Sequence, residues 1–217
     1  MWSELSLPWQ AALEEAWAAA CSGSVPIGAV VTRADGAIIA RGRNHICDAA
    51  ILPGQICQTQ LAHAELNALL AVPCAHDEFR QLAIYTTMEP CPLCMGAIYM
   101  AGIRQVHYAC RDSYAGSVDM LGSTRYLARK PVKTFGPPCD DLENILAALQ
   151  TEDIRVKHPD WHTDVIEEWR LVYPRGVALG ERLAAGGDIV EMRKRQIPAA
   201  GVVDWLEGQL LSQGSAG

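Results

Sequence analysis

Basic charge is scarce in this chain. Of 217 residues, 18 are Lys or Arg and 25 are Asp or Glu, a formal net charge of −7. A general binder of nucleic acid carries a basic footprint, so the chain as a whole is a poor fit to that class. Two local basic patches stand out, Arg129, Lys130 and Lys133, and Arg193, Lys194 and Arg195. No run approaches the ~20 apolar residues of a membrane-spanning helix. The first residues include Glu4, Glu14 and Glu15 and lack a basic segment, so no secretory signal is expected and the cytoplasm is the expected compartment. There is no internal repeat and no low-complexity domain. What remains is ordinary for a soluble globular chain, with 50% hydrophobic residues and enough length for one core or one domain plus an extension.

Eight cysteines occur, at positions 21, 47, 57, 74, 91, 94, 110 and 139. In a cytosolic chain they are expected to be reduced. Six stand singly and read as small buried hydrophobes. Cys91 and Cys94 differ because they stand three apart, in "MEPCPLCMGAI". Alone, such a pair fits a redox couple, half of a structural knuckle or half of a catalytic metal site.

The surrounding pattern is that of an α/β layered domain. "LPWQAALEEAWAAA" (7–20) has helical spacing, and "IGAVVT" (27–32) and "AIIARG" (37–42) read as a β-hairpin joined by "RADG". A long connection, 44–60, leads to a helix at 61–72 ended by Pro73. "LAIYTT" (82–87), "QVHYAC" (105–110) and "PVKTF" (131–135) are further strands, with a helix at 92–102 opened by Pro92 and stopped by Gly102. Strands separated by helices are expected to pair in parallel through right-handed crossovers. Beyond Pro138, "DDLENILAALQ" and "TDVIEEWRLVY" are helical, and "HPDWH" (158–162) between them reads as a turn. From Gly176 onward, "AAGGD", "IPAAG" and "SQGSAG" suggest a loosely built tail with one helix at "VVDWLEGQLL". The expected organisation is a catalytic domain over 1–175 with its core at 8–150, and a partly helical extension over 176–217.

The second half of a metal site lies in "LAHAEL". His63 and Glu65 open the helix before one strand, and Cys91 and Cys94 open the helix after it. Two cysteines three apart at a helix start share a face, and the positive end of the helix favours thiolate over thiol. His63, Cys91 and Cys94 make three ligands for one Zn2+ and leave a fourth position open to water, the mark of a catalytic zinc. Residues two apart do not share a helix face, so His63 must sit at the very start of its helix. Glu65 would then lie beside the water as its base. His45, Cys47, Cys57 and His107 fit no ligand spacing and read as structural.

His-Ala-Glu followed by Pro-Cys-x-x-Cys resembles the zinc deaminase superfamily. "VPIGAVV", "GRNH", "AHAE", "TTMEPCPLCMGAI" and "VHYACRDSYAGS" are similar to its tRNA adenosine, guanine and cytosine deaminase branch, over roughly residues 8 to 150. The resemblance implies a cytidine deaminase-like α/β/α sandwich with a central mixed sheet of about five strands. It implies hydrolytic deamination, with Glu65 moving protons from water to the ring nitrogen and the leaving ammonia. It also implies that Asn44, after the second strand, binds substrate, and that the chain forms a homodimer. The 44–63 connection looks longer than in typical members, and Leu61 stands where Pro or Thr is common. Both departures border the expected pocket and leave the substrate open; the acidic balance favours a free nucleobase, nucleoside or similar small heterocycle over nucleic acid. The alternatives are a tRNA wobble adenosine deaminase and, in another class, a non-catalytic zinc-binding assembly module.

Overall fold

A computed structural model describes residues 1–73, 78–160 and 163–214. At its centre is a five-stranded mixed sheet in the order β2-β1-β3-β4-β5. The strands are β1 (Gly28–Thr32), β2 (Ile38–Arg43), β3 (Ala83–Thr86), β4 (Gln105–Tyr108) and β5 (Lys133–Phe135). β1 pairs antiparallel with both β2 and β3, while β3/β4 and β4/β5 are parallel. Eight α-helices accompany the sheet among the described residues: α1 (Leu7–Cys21), α2 (Ala64–Leu70), α3 (Pro92–Ala101), α4 (Asp140–Lys157), α5 (Thr163–Val172), α6 (Pro174–Gly186), α7 (Asp188–Lys194) and α8 (Ala199–Gly214). Among the described residues, no helix is long and apolar enough to cross a membrane.

Parallel pairing through a helix holds for β3-α3-β4. β2 and β3, joined through α2, run parallel without touching, because β1 lies between them. β4 and β5 pair in parallel although no α-helix links them; their connection carries one short 3-10 turn, Val118–Met120. Side chains alternate across the sheet as strand geometry requires. Ala29, Val31, Ile84 and Val106 pack against Ala64 and Ala68 of α2 and Met95 and Ile98 of α3. On the opposite face Val30 packs against Ala11 and Ala12 of α1.

The helices after Pro138 are present as α4 and α5, but the segment from Gly176 onward departs from the sequence reading. In place of a loose tail, α6, α7 and α8 join α1, α4 and α5 in one hydrophobic cluster that buries Val177, Leu183, Ile189 and Leu206. Two glycines of α6, Gly176 and Gly180, are contact points. A Cβ on Gly176 would lie 2.5 Å from the Asn144 carbonyl oxygen, and one on Gly180 would lie 2.5 Å from that of Ala148, so α6 lies directly on α4. Gly187, with φ +76°, ends α6 in the left-handed conformation. Arg193 is no surface cation either: it is ion-paired with the fully buried Glu152. The single cysteines need correction too. Cys21, Cys47 and Cys139 are exposed, Cys57 is half-buried and, among the described single cysteines, only Cys110 is buried, because most of them fall in loops or at helix ends rather than on packed faces. Cys74, and Trp161 and His162 of "HPDWH", lie outside the described residues.

Candidate active site

Helix α2 is shorter than the 61–72 pattern suggests. Leu61 and Ala62 are spent on a turn, with backbone bonds from Ala62 N–H to the Thr59 carbonyl and from His63 N–H to the Leu61 carbonyl. His63 is therefore the N-cap, in extended conformation (φ −77°, ψ 153°), and Glu65 falls within the first turn. That change of backbone direction lets two residues with unfavourable helical spacing face one point. Gly42 allows the approach, since a Cβ there would lie 2.2 Å from the Ala68 backbone nitrogen. On the other side Cys91 is the N-cap of α3 and Cys94 follows in its first turn.

The two helix starts converge. His63 Nδ1 lies 3.6 Å from Cys91 Sγ and 3.4 Å from Cys94 Sγ, and the three ligand atoms lie within 4.8 Å of one another. Tetrahedral zinc, with Zn–N near 2.0–2.1 Å and Zn–S near 2.3 Å, separates its nitrogen and sulfur ligands by about 3.5 Å. The donor set and spacing fit that ion. The Cys91 thiol is drawn down to about 4, first by its hydrogen bond with Cys94 and, against burial, by His63. The same bond and burial push Cys94 up. His63 is raised, first by its hydrogen bond with Cys91. A thiolate is thus favoured where a cation needs one.

Glu65 is almost wholly buried. Its Oε1 accepts a hydrogen bond from Thr86 Oγ1 (3.2 Å) at the end of β3, and its Oε2 accepts one from Cys94 Sγ (3.3 Å). Burial pushes its carboxyl upward, toward the range of a group that both takes and returns a proton. Asn44 directly follows β2 and is buried. Its Oδ1 accepts the Ile46 N–H (3.0 Å), and among the described residues its carboxamide NH2 donates to no protein group. His63, Glu65, Cys91 and Asn44 line one cavity of about 160 Å3.

Some of the cavity wall was not singled out from the sequence. Glu89 and Asp112 face it, and each lies inside a block quoted for other reasons. Glu89 Oε2 accepts the Asp112 N–H and its Oε1 the Val118 N–H, both at 3.3 Å, so it ties down the loop after β4. Asp112 Oδ1 accepts from the N–H groups of Tyr114 and Ala115, both at 3.0 Å, and from Trp169 Nε1 at 3.1 Å. Trp169 belongs to α5, and no spacing in the sequence joins it to the site. The groups read as structural behave so in two cases: His45 Nδ1 bonds Asp48 Oδ2 (2.7 Å), and the His107 ring stacks between Tyr85 (4.2 Å) and Phe135 (4.4 Å).

A second, larger chamber of about 530 Å3 adjoins the first and shares Asn44, His63, Met88 and Asp112 with it. Its outer wall is the C-terminal part of α4, with Ile154 and Lys157, and α5, with Val165 and Trp169. Lys157 is the only Lys or Arg among its described lining residues, and its Nζ is already held by Asp153 Oδ1 (2.6 Å) and the Ser24 carbonyl (3.0 Å).

Residues 4–110 match the sequence model of the cytidine and deoxycytidylate deaminase zinc-binding region. The guanine deaminase of Bacillus subtilis (strain 168) is 34% identical over 121 residues, 52% of this chain and 72% of that protein. The chain belongs to the cytidine and deoxycytidylate deaminase family. The cytosine deaminase of Candida albicans is 27% identical over 159 residues, covering 73% of this chain and 94% of its own. Among solved structures, one from a study of A-to-I editing by tRNA:A34 deaminases superposes with a TM-score of 0.53 at 26% identity, over 64% of this chain and 97% of that one. As a family member the chain is a zinc-dependent deaminase, a hydrolase of carbon–nitrogen bonds.

Proposed function

We propose that this deaminase releases ammonia from a small uncharged heterocycle, a free nucleobase, nucleoside or similar ring, with Glu65 as its proton carrier. The observation that carries the substrate class is the outer chamber. Its wall is largely apolar, and its one Lys is already neutralised by Asp153. An RNA substrate calls for several free cations along its phosphate path.

His63, Cys91 and Cys94 would hold the zinc, which when bound acidifies water and polarises it for attack. The side chains of the protein do the rest. Glu65 takes a proton from the attacking water at one carboxylate oxygen, and the Thr86 hydroxyl keeps the carboxylate oriented. Glu65 passes that proton to the ring nitrogen, then takes the remaining proton from the hydroxyl added to the ring carbon and hands it to the departing amine, so one buried group serves in turn as base and acid. Asn44 offers its NH2 to an acceptor on the ring or sugar. The apolar walls at Met88 and Ile27 exclude bulk water from the inner cavity. The same reading takes 1–175 as the catalytic domain, built on the 8–150 core, and 176–217 as an extension. It also takes the working form to be a cytoplasmic homodimer.

A second reading, wobble adenosine deamination in tRNA, draws support from the structural match over nearly the whole of a tRNA:A34 deaminase chain. Ammonia release from zinc-loaded protein distinguishes the two, with guanine, guanosine, adenine, cytosine, cytidine and an aminotriazine tested beside an anticodon stem-loop. Turnover of a small ring supports the first reading. Inosine formed in the stem-loop, with every small ring inert, overturns it.

A further inference from the structure

Five cations gather at the end of the sheet remote from the cysteine pair. Arg80 precedes β3, Arg104 precedes β4, Lys133 opens β5, and Arg129 and Lys130 come from the connection between β4 and β5. Arg80, Arg104, Arg129 and Lys130 line one cavity of about 380 Å3 with Tyr99 and Tyr126. Arg104 and Lys133 line a smaller one of about 200 Å3 beside it. No carboxylate lines either cavity among the described residues. Nine Lys or Arg residues elsewhere have acidic partners within 4.0 Å, whereas none of these five has one among the described residues. That concentration of unpaired positive charge occurs in a chain whose net charge is −7.

The end of α3 explains part of it. Lys130 Nζ donates to the Tyr99 carbonyl oxygen (2.7 Å) and sits 4.5 Å from the centre of the Tyr99 ring, as a cation should at a helix C-terminus. Arg104 reaches the Ile103 carbonyl at 3.4 Å. Arg80 and Arg129 have no such partner among the described residues, yet they crowd the same cavity. Burial and then the charges of Arg104, Arg80 and Arg129 lower the Lys130 ammonium, a sign of mutual repulsion. A bound anion of several charges would relieve that repulsion at all four groups together.

We propose that this cavity binds a small polyanion, a nucleoside diphosphate or triphosphate. Its phosphates lie on Arg80, Arg104, Arg129 and Lys130, and its base lies beside the exposed Tyr126 ring. The volume is within the roughly 300–1,000 Å3 of small-molecule pockets. Planar guanidinium groups suit bidentate contact with phosphate oxygens. The site is separate from the deamination cavity. Cys91 caps one end of α3 and the basic cavity lies at the other, about 15 Å away at 1.5 Å per residue.

The test is calorimetric titration of zinc-loaded full-length protein at constant ionic strength, with ADP, inorganic pyrophosphate and inorganic triphosphate as probes. The parent and the double variant Arg80→Ala/Arg129→Ala are compared, with zinc content confirming that both are folded. One-to-one binding of ADP or triphosphate is expected, weakened by about tenfold or more in the double variant, since two charge-assisted contacts are lost. ADP binding more tightly than pyrophosphate supports the place given to the base at Tyr126; equal binding overturns that part. The single variant Arg129→Glu, on an exposed side chain, should show the same loss. Equal titrations for parent and variants overturn the proposal. So does tighter binding of a short single-stranded RNA than of ADP, which makes the patch a nucleic-acid surface. So does loss of self-association in the double variant when the parent binds none of the probes, which makes it a contact with a second copy.

Discussion

Replacing Glu65 by Gln separates the chemistry of the site from its folding. Glu65 is 4% exposed, its two oxygens accept from Thr86 Oγ1 and Cys94 Sγ, and among the described residues no Lys or Arg pairs with it. Glutamine has the same shape and removes the cost of burying a carboxylate. The variant should therefore fold, keep one zinc per chain and melt no lower than the parent by more than a few degrees. Its chemistry should fail, because an amide does not shuttle protons. General acid–base catalysis contributes about 10²–10⁴ in rate. At 1.36 kcal/mol per decade, that is a barrier higher by about 3–5 kcal/mol. The loss should fall on kcat rather than KM, because the proton is moved in the reaction step and not on binding. Steady-state ammonia release on the ring that turns over in the substrate panel is the assay, with zinc measured on the same samples. Activity within tenfold of the parent at full zinc occupancy refutes the role. So does loss of zinc, which would make Glu65 a support for the metal instead of a proton carrier.

Other predictions follow from the same geometry. Cys91→Ala should abolish stoichiometric zinc binding and lower the melting temperature, because metal binding is coupled to folding; metal analysis that still finds one zinc per chain would contradict the ligand set. Gly180→Leu should lower the melting temperature by about 2–12 °C, since overpacking costs about 1–3 kcal/mol and each kcal/mol moves a chain of this size by about 2–4 °C; even a Cβ there would lie 2.5 Å from the Ala148 carbonyl oxygen, and an unchanged melt would deny the close helix contact. Acid should expose the cluster at Asp48. Burial raises this carboxyl, but hydrogen bonds from Arg43, His45 and Ser24 outweigh it and hold the group at about 2. Its contribution is therefore complete above the unfolded value near 3.9 and is lost as pH falls through about 2. Thermal melts between pH 5 and pH 2 should fall more steeply for the parent than for Asp48→Asn, and parallel curves would refute the assignment. Trp169→Phe keeps the apolar wall but removes the bond to Asp112 (3.1 Å), so KM should rise several-fold with kcat nearly unchanged, and a fall confined to kcat would contradict it.

Local pattern carried much of the site. Capping chemistry placed His63 and Cys91 at helix starts, and three-residue spacing put Cys94 on the face of Cys91. Asn44 was visible as the residue after a strand. Glu89 and Asp112 were not, because their roles arise from backbone bonds to a loop that becomes local only when β3 and β4 pair. Trp169 lies 57 residues from Asp112 and meets it only after α5 has docked.

The sequence by itself picked out the candidate zinc ligands and the proposed proton carrier, and it determined the hairpin and the helices flanking β3, since each depends on side chains a few residues apart. The tertiary structure alone decided three other matters. It made packed helices of a segment that reads as loose, because a glycine that weakens an isolated helix lets two helices touch, and no single-helix pattern records the partner. It built the outer chamber from α4 and α5, elements with no motif in common with the metal site. It also gathered Arg80, Arg104, Arg129 and Lys130 from separate strand starts and a loop into one cavity. Charge in a sequence is a sum, whereas the field that a ligand meets depends on which of those charges the fold leaves without a partner.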